Sequence, residues 1–148
     1  MREQKTKELP LGIQTFKKII DKNLLYIDKT EHIYRLIKNG EIYFLSRPRR
    51  FGKSLTVSTL EEIFKGNREL FKGLYIYDTD YDFKKYPIIR FDFGELAVRN
   101  SEEMEQRIRE YLLKNARYND TELSREKDVL SLFSELIEKL SKNENISL

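Results

Sequence analysis

The chain has 148 residues, of which 39% are hydrophobic and 36% are charged. A chain of this length can form one domain that buries roughly two thirds of its extended surface. The net charge of +3 argues against a generally basic nucleic-acid binder, so any such function depends on local clusters. The sequence has no cysteine and therefore predicts neither a disulfide framework nor a thiolate zinc site.

The N-terminus has no feature of a secretory signal. Residues 1–8 are polar and lack the apolar core of a signal peptide. No apolar run approaches the roughly 18 residues of a membrane span. We therefore expect a cytoplasmic protein without a membrane partner, whose residues 1–8 are disordered.

The first third of the chain predicts two helices. The apolar residues of 16–20 recur at helical spacing, and residues 24–27 predict a brief extended segment. Thr30 is a candidate N-cap for a second helix, which ends with an αL-type stop at Asn39-Gly40. The only histidine, His32, is expected to be a solvated residue of that helix.

Residues 42–64 predict the order strand, basic loop, helix. Ile42–Leu45 is an apolar run typical of a buried strand, and apolar residues recur at helical spacing between Leu55 and Phe64. Gly52-Lys53-Ser54 lies between the two. Because a helix N-terminus offers unpaired N–H groups and a glycine lets an anion come close, this position favours a phosphate.

In such a phosphate loop, Lys53 contacts the outer phosphates of ATP and the Ser54 hydroxyl ligates Mg²⁺. The consensus G-x-x-x-x-G-K-[ST] is matched only in part, because Arg47 occupies the position of the first glycine. A basic surface turn before an ordinary helix is the alternative interpretation. The candidate nucleotide-binding residues are Arg49, Arg50, Phe51, Gly52, Lys53, Ser54 and Leu55, with Ser54 also the candidate metal ligand.

The same loop allows a different partner. Arg47, Arg49 and Arg50 form a basic turn around Pro48, and arginines of this kind bind the phosphodiester backbone of nucleic acids. Salt separates the two hypotheses, because backbone binding weakens steeply as salt rises.

An alternation of aspartates follows the loop and its helix. Asp78, Asp80 and Asp82 match the start of an EF-hand calcium loop. However, Phe83 occupies the sixth position, which requires Gly, and Ile89 occupies the twelfth, which requires Glu. We therefore expect solvated turn residues.

Pro87–Phe93 predicts a second strand, with proline at its start, where a missing N–H matters least. Asp92 is a candidate Walker B carboxylate. Arg90 interrupts the apolar run, however, and Phe93 replaces the expected acidic neighbour. The segment is therefore expected to be the second strand of a sheet and not the Walker B strand.

The last part of the chain predicts two helices. Asn100–Glu103 has the form of a capping box before an apolar stripe. A final helix is predicted from about Ser124 to Leu140. Helices alternating with two strands predict an α/β, P-loop NTPase-like fold, with a partial parallel sheet and flanking helices.

Four stretches resemble the AAA-ATPase-like family of prokaryotic proteins: Leu9–Ile13, Tyr26–Thr30, Phe44–Leu55 and Tyr86–Phe93. The family's phosphate loop itself reads R-P-R-R-F-G-K-S, so the resemblance implies that Arg47 is the family's form. It also implies binding of ATP with Mg²⁺ and a nucleotide site close to Tyr26–Thr30. Asp28 in that motif is either part of this site, or paired with Lys29, or a turn cap.

Family members usually continue into a Walker B strand ending in Asp-Glu, and often into a nuclease-like domain of the PD-(D/E)XK type. Residues 9–148 resemble only the N-terminal part of such a nucleotide-binding domain, truncated before the Walker B strand, either as a fragment or as a prematurely ended gene. Ile146 and Leu148 are candidates for the first residues of that strand.

We therefore expect ATP binding with little hydrolysis. A nucleic-acid-binding module based on the Arg47–Arg50 turn, or an inactive remnant, are the alternatives. A sheet that lacks its Walker B strand has an unpaired edge, which predicts self-association.

Overall fold

The computed structural model of the chain describes residues 7–40, 42–95, 99–124 and 127–143. The chain divides into two compact units between Lys85 and Tyr86. Short 3₁₀ helices lie at Arg68–Phe71, Tyr75–Asp78 and Phe93–Glu95. The α-helices of the described residues are α1 (Phe16–Asp21), α2 (Thr30–Asn39), α3 (Lys53–Phe64), α4 (Ser101–Tyr118) and α5 (Val129–Asn143).

The predicted α/β fold with a partial parallel sheet is wrong for the part of the chain that the structure describes. Neither Ile42–Leu45 nor Pro87–Phe93 forms a strand, and no other described residue does so. An apolar run favours burial, but a strand also needs a neighbour that accepts and donates its backbone hydrogen bonds. Such a neighbour comes from a distant part of the chain, so the apolar run by itself does not determine whether a strand forms.

The first predicted strand lies open within its unit. Ile42 is 93% exposed and Phe44 is 94% exposed. The Tyr43 hydroxyl donates to the carbonyl of Leu36 at 2.7 Å, so this ring lies against the last turns of α2. Two residues of the run that was expected to form a buried strand are therefore the most exposed large apolar residues of the described chain.

The first unit has an aromatic core between its helices. The Phe16 ring stacks on Phe71 with centroids 4.7 Å apart and meets Tyr26 edge-on at 5.0 Å. The backbone N–H of Phe16 donates to the buried Ser58 hydroxyl at 3.0 Å, which ties α1 to α3. The remaining buried members of this cluster are Ile33, Ile63, Ile76, Tyr81 and Phe83.

Both predicted helices of the first third are present. The αL stop predicted at Gly40 is not, because its φ is −160°. The disordered segment predicted at 1–8 lies outside the described residues, apart from Lys7 and Glu8. The Glu8 carbonyl accepts the N–H of Leu25 at 2.8 Å.

In the second unit α4 and α5 share an apolar core. Leu112 and Ala116 of α4 pack with Leu132, Leu136 and Leu140 of α5. Leucines four residues apart lie on one face of a helix, which explains why this row is buried. Leu130 of the same helix lies outside this row and is 78% exposed.

Helix α5 begins later than predicted. Its start is at Val129 and not near Ser124, because Asp128 supplies the cap. One Asp128 carboxylate oxygen accepts the N–H of Ser131 at 2.9 Å and the other accepts its hydroxyl at 2.6 Å. At α4, by contrast, Asn100 accepts the N–H of Glu103 at 2.8 Å, which confirms the predicted cap.

The second predicted strand is held by side chains of α4 and of its C-cap Asn119, and not by another strand. Asn119 accepts the N–H of Ile88 at 3.2 Å and donates to its carbonyl at 3.0 Å. Asn115 accepts the N–H of Arg90 at 2.7 Å and donates to its carbonyl at 2.9 Å. Each asparagine amide therefore satisfies a backbone donor and acceptor as a neighbouring strand does.

The spacings of the two partners explain this arrangement. Two residues of extended chain advance about 6.6 Å, and four residues of helix advance about 6 Å. Alternate residues of the segment can therefore meet every fourth position of α4. The Tyr111 hydroxyl, four residues before Asn115, continues the series and donates to the carbonyl of Asp92.

The predicted strand start at Ile146 and Leu148 lies outside the described residues. None of the described helices combines the length and the hydropathy that crossing a membrane requires.

Candidate functional site

Helix α3 begins directly after Gly52, as predicted, although the strand expected before the loop is not formed. Gly52 is the N-cap, with φ of 77°, and no side chain caps the helix. The first hydrogen bond of the helix runs from the N–H of Thr56 to the carbonyl of Gly52 at 2.9 Å. The N–H groups of Lys53, Ser54 and Leu55 precede that bond, as the unpaired donors of a helix start do.

Gly52 is needed here for its backbone conformation. A positive φ is disfavoured for residues with a side chain, whereas a Cβ added at this position would meet no atom within 4 Å. The space above the helix start is therefore open among the described residues, and an anion can approach the amides.

Four cationic residues lie in the loop and at the first position of this helix, and all four are exposed: Arg47, Arg49, Arg50 and Lys53. The Lys53 ammonium donates to the carbonyl of Arg47 at 2.7 Å, and the Arg47 guanidinium donates to the carbonyl of Phe51 at 3.4 Å. Two of the cations thus close the loop onto its own backbone. The sequence showed the four cationic residues, but it did not predict these two hydrogen bonds.

Arg49 and Arg50 are arranged differently. Within the described part of the chain, neither side chain has a hydrogen bond or an ion pair. Arg50 has a φ of 68°, a conformation uncommon for a residue with a side chain. The backbone turns sharply at this point and leaves both guanidinium groups in solvent.

The electrostatics of the loop are one-sided. Residues 42–60 contain these four cations and no aspartate or glutamate, and the first turn of α3 has no acidic residue. The helix start adds a partial positive charge of its own. The arrangement suits a ligand with several negative charges close together.

The remaining predicted site residues differ in what they can offer. The Phe51 side chain is 64% exposed. Leu55 is half-buried and packs against the core of the first unit, so only its backbone N–H is available to a ligand. The Ser54 hydroxyl is exposed at the second position of α3.

The donor set around Ser54 does not fit a resident Mg²⁺. Magnesium sites use carboxylates together with phosphate oxygens and water, and the loop provides a hydroxyl among cations. In the described ranges, no three His, Cys, Asp or Glu side chains come together as a metal site. A metal ion at this position has to arrive with the phosphates.

Asp28 caps two turns, which confirms one of the alternatives considered for it. Its carboxylate accepts the N–H of Thr30 at 2.8 Å and the N–H of Tyr75 at 2.7 Å. Thr30 is the first residue of α2 and not its N-cap, and its hydroxyl accepts the N–H of Ile76 at 3.1 Å. The motif therefore joins the start of α2 to the start of the 3₁₀ helix at Tyr75–Asp78.

The three alternating aspartates are exposed, as expected of solvated turn residues. Asp80 accepts hydrogen bonds from the Tyr34 hydroxyl and the Lys38 ammonium. These two donors hold the pKa of Asp80 below its usual value, and the same contacts raise the pKa values of Tyr34 and Lys38. The carboxylate is engaged with its own unit.

Asp92 lies in the second unit and does not have the surroundings of a metal ligand. One carboxylate oxygen accepts the N–H of Gly94 at 3.1 Å, and the other lies 3.6 Å from the Arg90 guanidinium. Both contacts are within four residues along the chain. His32, similarly, is an exposed residue of α2, as predicted.

Comparison with known proteins shows which proteins this chain is similar to. The family model described as "Predicted AAA-ATPase" matches residues 10–148. A protein of Azotobacter chroococcum mcd 1, described as "Uncharacterized protein in vnfD 5'region", is 46% identical over 110 residues. Those residues are 74% of this chain and 21% of the relative, so the chain spans about a fifth of that relative's length. No solved structure matches.

Proposed function

The chain belongs to the AAA-ATPase-like family, and we propose that it binds a nucleoside triphosphate, with ATP as the first candidate, at residues 47–55. The observation that carries the proposal is the open start of α3. There a glycine with positive φ precedes three unpaired amides, and four cationic residues lie in the loop and at the first position of the helix. The family match makes a nucleotide the natural anion for such a site.

Each part of the loop has a proposed role. The amides of Lys53, Ser54 and Leu55 bind phosphate oxygens, because they have no partner in the helix. The Lys53 ammonium exchanges the carbonyl of Arg47 for an outer phosphate. Arg49 and Arg50 add charge at the rim, with Phe51 beside them, and Ser54 contacts a magnesium ion brought by the nucleotide.

The test is calorimetric titration of ATP into the wild type and Lys53→Ala. A charge-assisted hydrogen bond contributes about 1.5–3 kcal/mol. Lys53 is exposed, so the lower end applies, and affinity should fall about tenfold. Lys72→Ala removes the same charge from an exposed position of the same unit and should leave affinity unchanged. Equal affinity of Lys53→Ala and wild type would refute the assignment.

We expect little ATP hydrolysis by this chain. Phosphoryl transfer needs a carboxylate that holds magnesium and a residue that orients water, and residues 42–60 contain no Asp or Glu. Release of phosphate by the purified protein measures this directly. Steady turnover that is lost in Asp92→Asn would contradict the expectation and identify Asp92 as the missing carboxylate.

The exposed Arg49 and Arg50 also favour the second candidate function, binding of a nucleic-acid backbone. If this candidate is right and the two arginines do not serve the nucleotide, Arg49→Ala combined with Arg50→Ala should abolish a gel shift of DNA and leave ATP affinity nearly intact. The shift should weaken steeply between two salt concentrations. Absence of a shift at low salt would remove this candidate. The described residues form no sheet, so the predicted self-association through a sheet edge no longer has that basis. A cytoplasmic location stays a prediction from the sequence.

A further inference from the structure

We propose that the loop binds ATP more tightly without magnesium than with it. The inference rests on the proposed nucleotide site and concerns the charge of the ligand that this site prefers. It starts from the disagreement between the donor set of the loop and the metal that family membership implies.

The loop carries several positive charges close together in sequence. Arg47, Arg49, Arg50 and Lys53 lie within seven consecutive positions, and residues 42–60 have no acidic side chain. Arginine stays protonated at any pH at which a protein is folded. Free ATP carries about four negative charges near neutral pH, and bound magnesium cancels about two of them. The cations of the loop are matched by the free nucleotide and exceed the charge of its magnesium complex.

The loop has few side chains that could bind the metal. Ser54 offers one neutral oxygen, and the nearest acidic residues in sequence are Glu41 and Glu61. The Glu61 side chain is engaged by the Lys65 ammonium at 2.8 Å. Bringing Mg²⁺ to the loop therefore adds repulsion from the cations, and no acidic residue between positions 42 and 60 offsets it.

The cations of the loop differ in the hydrogen bonds that they already make. Arg49 and Arg50 have no hydrogen bond or ion pair within the described residues, so they can bind phosphate without breaking one. Lys53 must first leave the carbonyl of Arg47, 2.7 Å away. A more highly charged phosphate chain offsets that loss better, which again favours the metal-free nucleotide.

Thermodynamic linkage makes the proposal measurable from either side. If the protein binds free ATP more tightly by some factor, magnesium must bind ATP on the protein more weakly than ATP in solution by the same factor. An excess of magnesium should therefore release nucleotide. The opposite is expected of a site that holds the metal with carboxylates.

The experiment is titration of the full chain with ATP, once in a chelator and once in excess magnesium. We expect affinity in the chelator to be at least tenfold higher. Arg49→Gln combined with Arg50→Gln keeps polar side chains that can donate hydrogen bonds and removes two charges, and the two affinities should become nearly equal. Lys22→Ala combined with Lys72→Ala removes two charges elsewhere in the same unit and should preserve the preference.

A charge-retaining variant separates electrostatics from folding. Arg49→Lys combined with Arg50→Lys keeps both charges and should keep the preference for free ATP. If the lysine variant and the glutamine variant both lose this preference, the effect comes from guanidinium geometry and the charge argument is wrong. Tighter or equal binding of the magnesium complex by the wild type refutes this inference and leaves the nucleotide site standing. Absence of binding in both conditions refutes the proposed function itself.

Discussion

Asn115 provides the sharpest test of how the second unit is held together. Its side chain is buried, at 6% exposure. It accepts from the N–H of Arg90 at 2.7 Å, donates to the carbonyl of Arg90 at 2.9 Å, and donates to the carbonyl of Tyr111 at 2.8 Å. Asn115→Ala removes all three hydrogen bonds at once.

The expected loss follows from these contacts. A hydrogen bond contributes about 0.5–1.5 kcal/mol net, and an unpaired buried group costs more. Arg90 is exposed, so water can pair with part of its backbone after the change. We therefore expect Asn115→Ala to lower the free energy of unfolding by about 1.5–3 kcal/mol. Lys114→Ala, at the neighbouring exposed position, should change it by less than about 0.5 kcal/mol.

Two measurements check this prediction. Urea unfolding gives the difference in stability, and amide hydrogen exchange gives its location. In the wild type, the N–H groups of Ile88 and Arg90 have asparagine acceptors, whereas those of Ile89 and Phe91 have no acceptor among the described residues. Protection should therefore alternate along the segment. Asn115→Ala should remove it at Arg90 first.

Equal protection of all the amides of 88–91 would contradict this prediction. Such a pattern belongs to a strand that is paired on both edges, and Asn115→Ala would then have little effect on stability. An unchanged urea midpoint together with alternating protection would also contradict the energetic part of the argument.

Three further predictions concern both units. Asp28→Ala should destabilise the first unit by about 1–3 kcal/mol in urea unfolding, because the amides that it caps lose a charged acceptor. Gly66→Ala should cost about 2 kcal/mol or more in the same assay, because its φ is 74° and the added Cβ would lie 2.8 Å from the carbonyl of Phe83; an unchanged midpoint would contradict this. The ammonium groups of Lys139 and Lys127 lower the pKa of Glu135 to about 2 from its ordinary 4.5. Because the folded pKa is the lower one, the stabilisation is present above about pH 4.5 and disappears as the pH falls towards 2. A carboxyl pKa near 4.5 by NMR would disprove the role of this ion pair.

The helices and the open start of α3 could be read from the sequence because local chemistry determines them. The apolar spacing of residues 16–20, 30–39 and 53–64 corresponds to α1, α2 and α3. Gly52 is followed by Lys53-Ser54 at the start of α3, and a glycine N-cap with free amides is a property of neighbouring residues alone. The four cations likewise lie together because they are close in sequence.

Whether the two apolar segments form strands depends on tertiary structure and not on their own residues. The backbone of 88–90 takes its partners from Asn115 and Asn119, which lie 25 and 31 positions away. Nothing in the sequence near either asparagine indicates that pairing. Asp28 bonds to Tyr75 across 47 positions for the same reason. Ile42–Leu45 shows the converse, because a preference for burial has no effect until another segment covers it. Hydrogen bonds between distant residues depend on how the helices pack, which the spacing of residues within each helix does not contain.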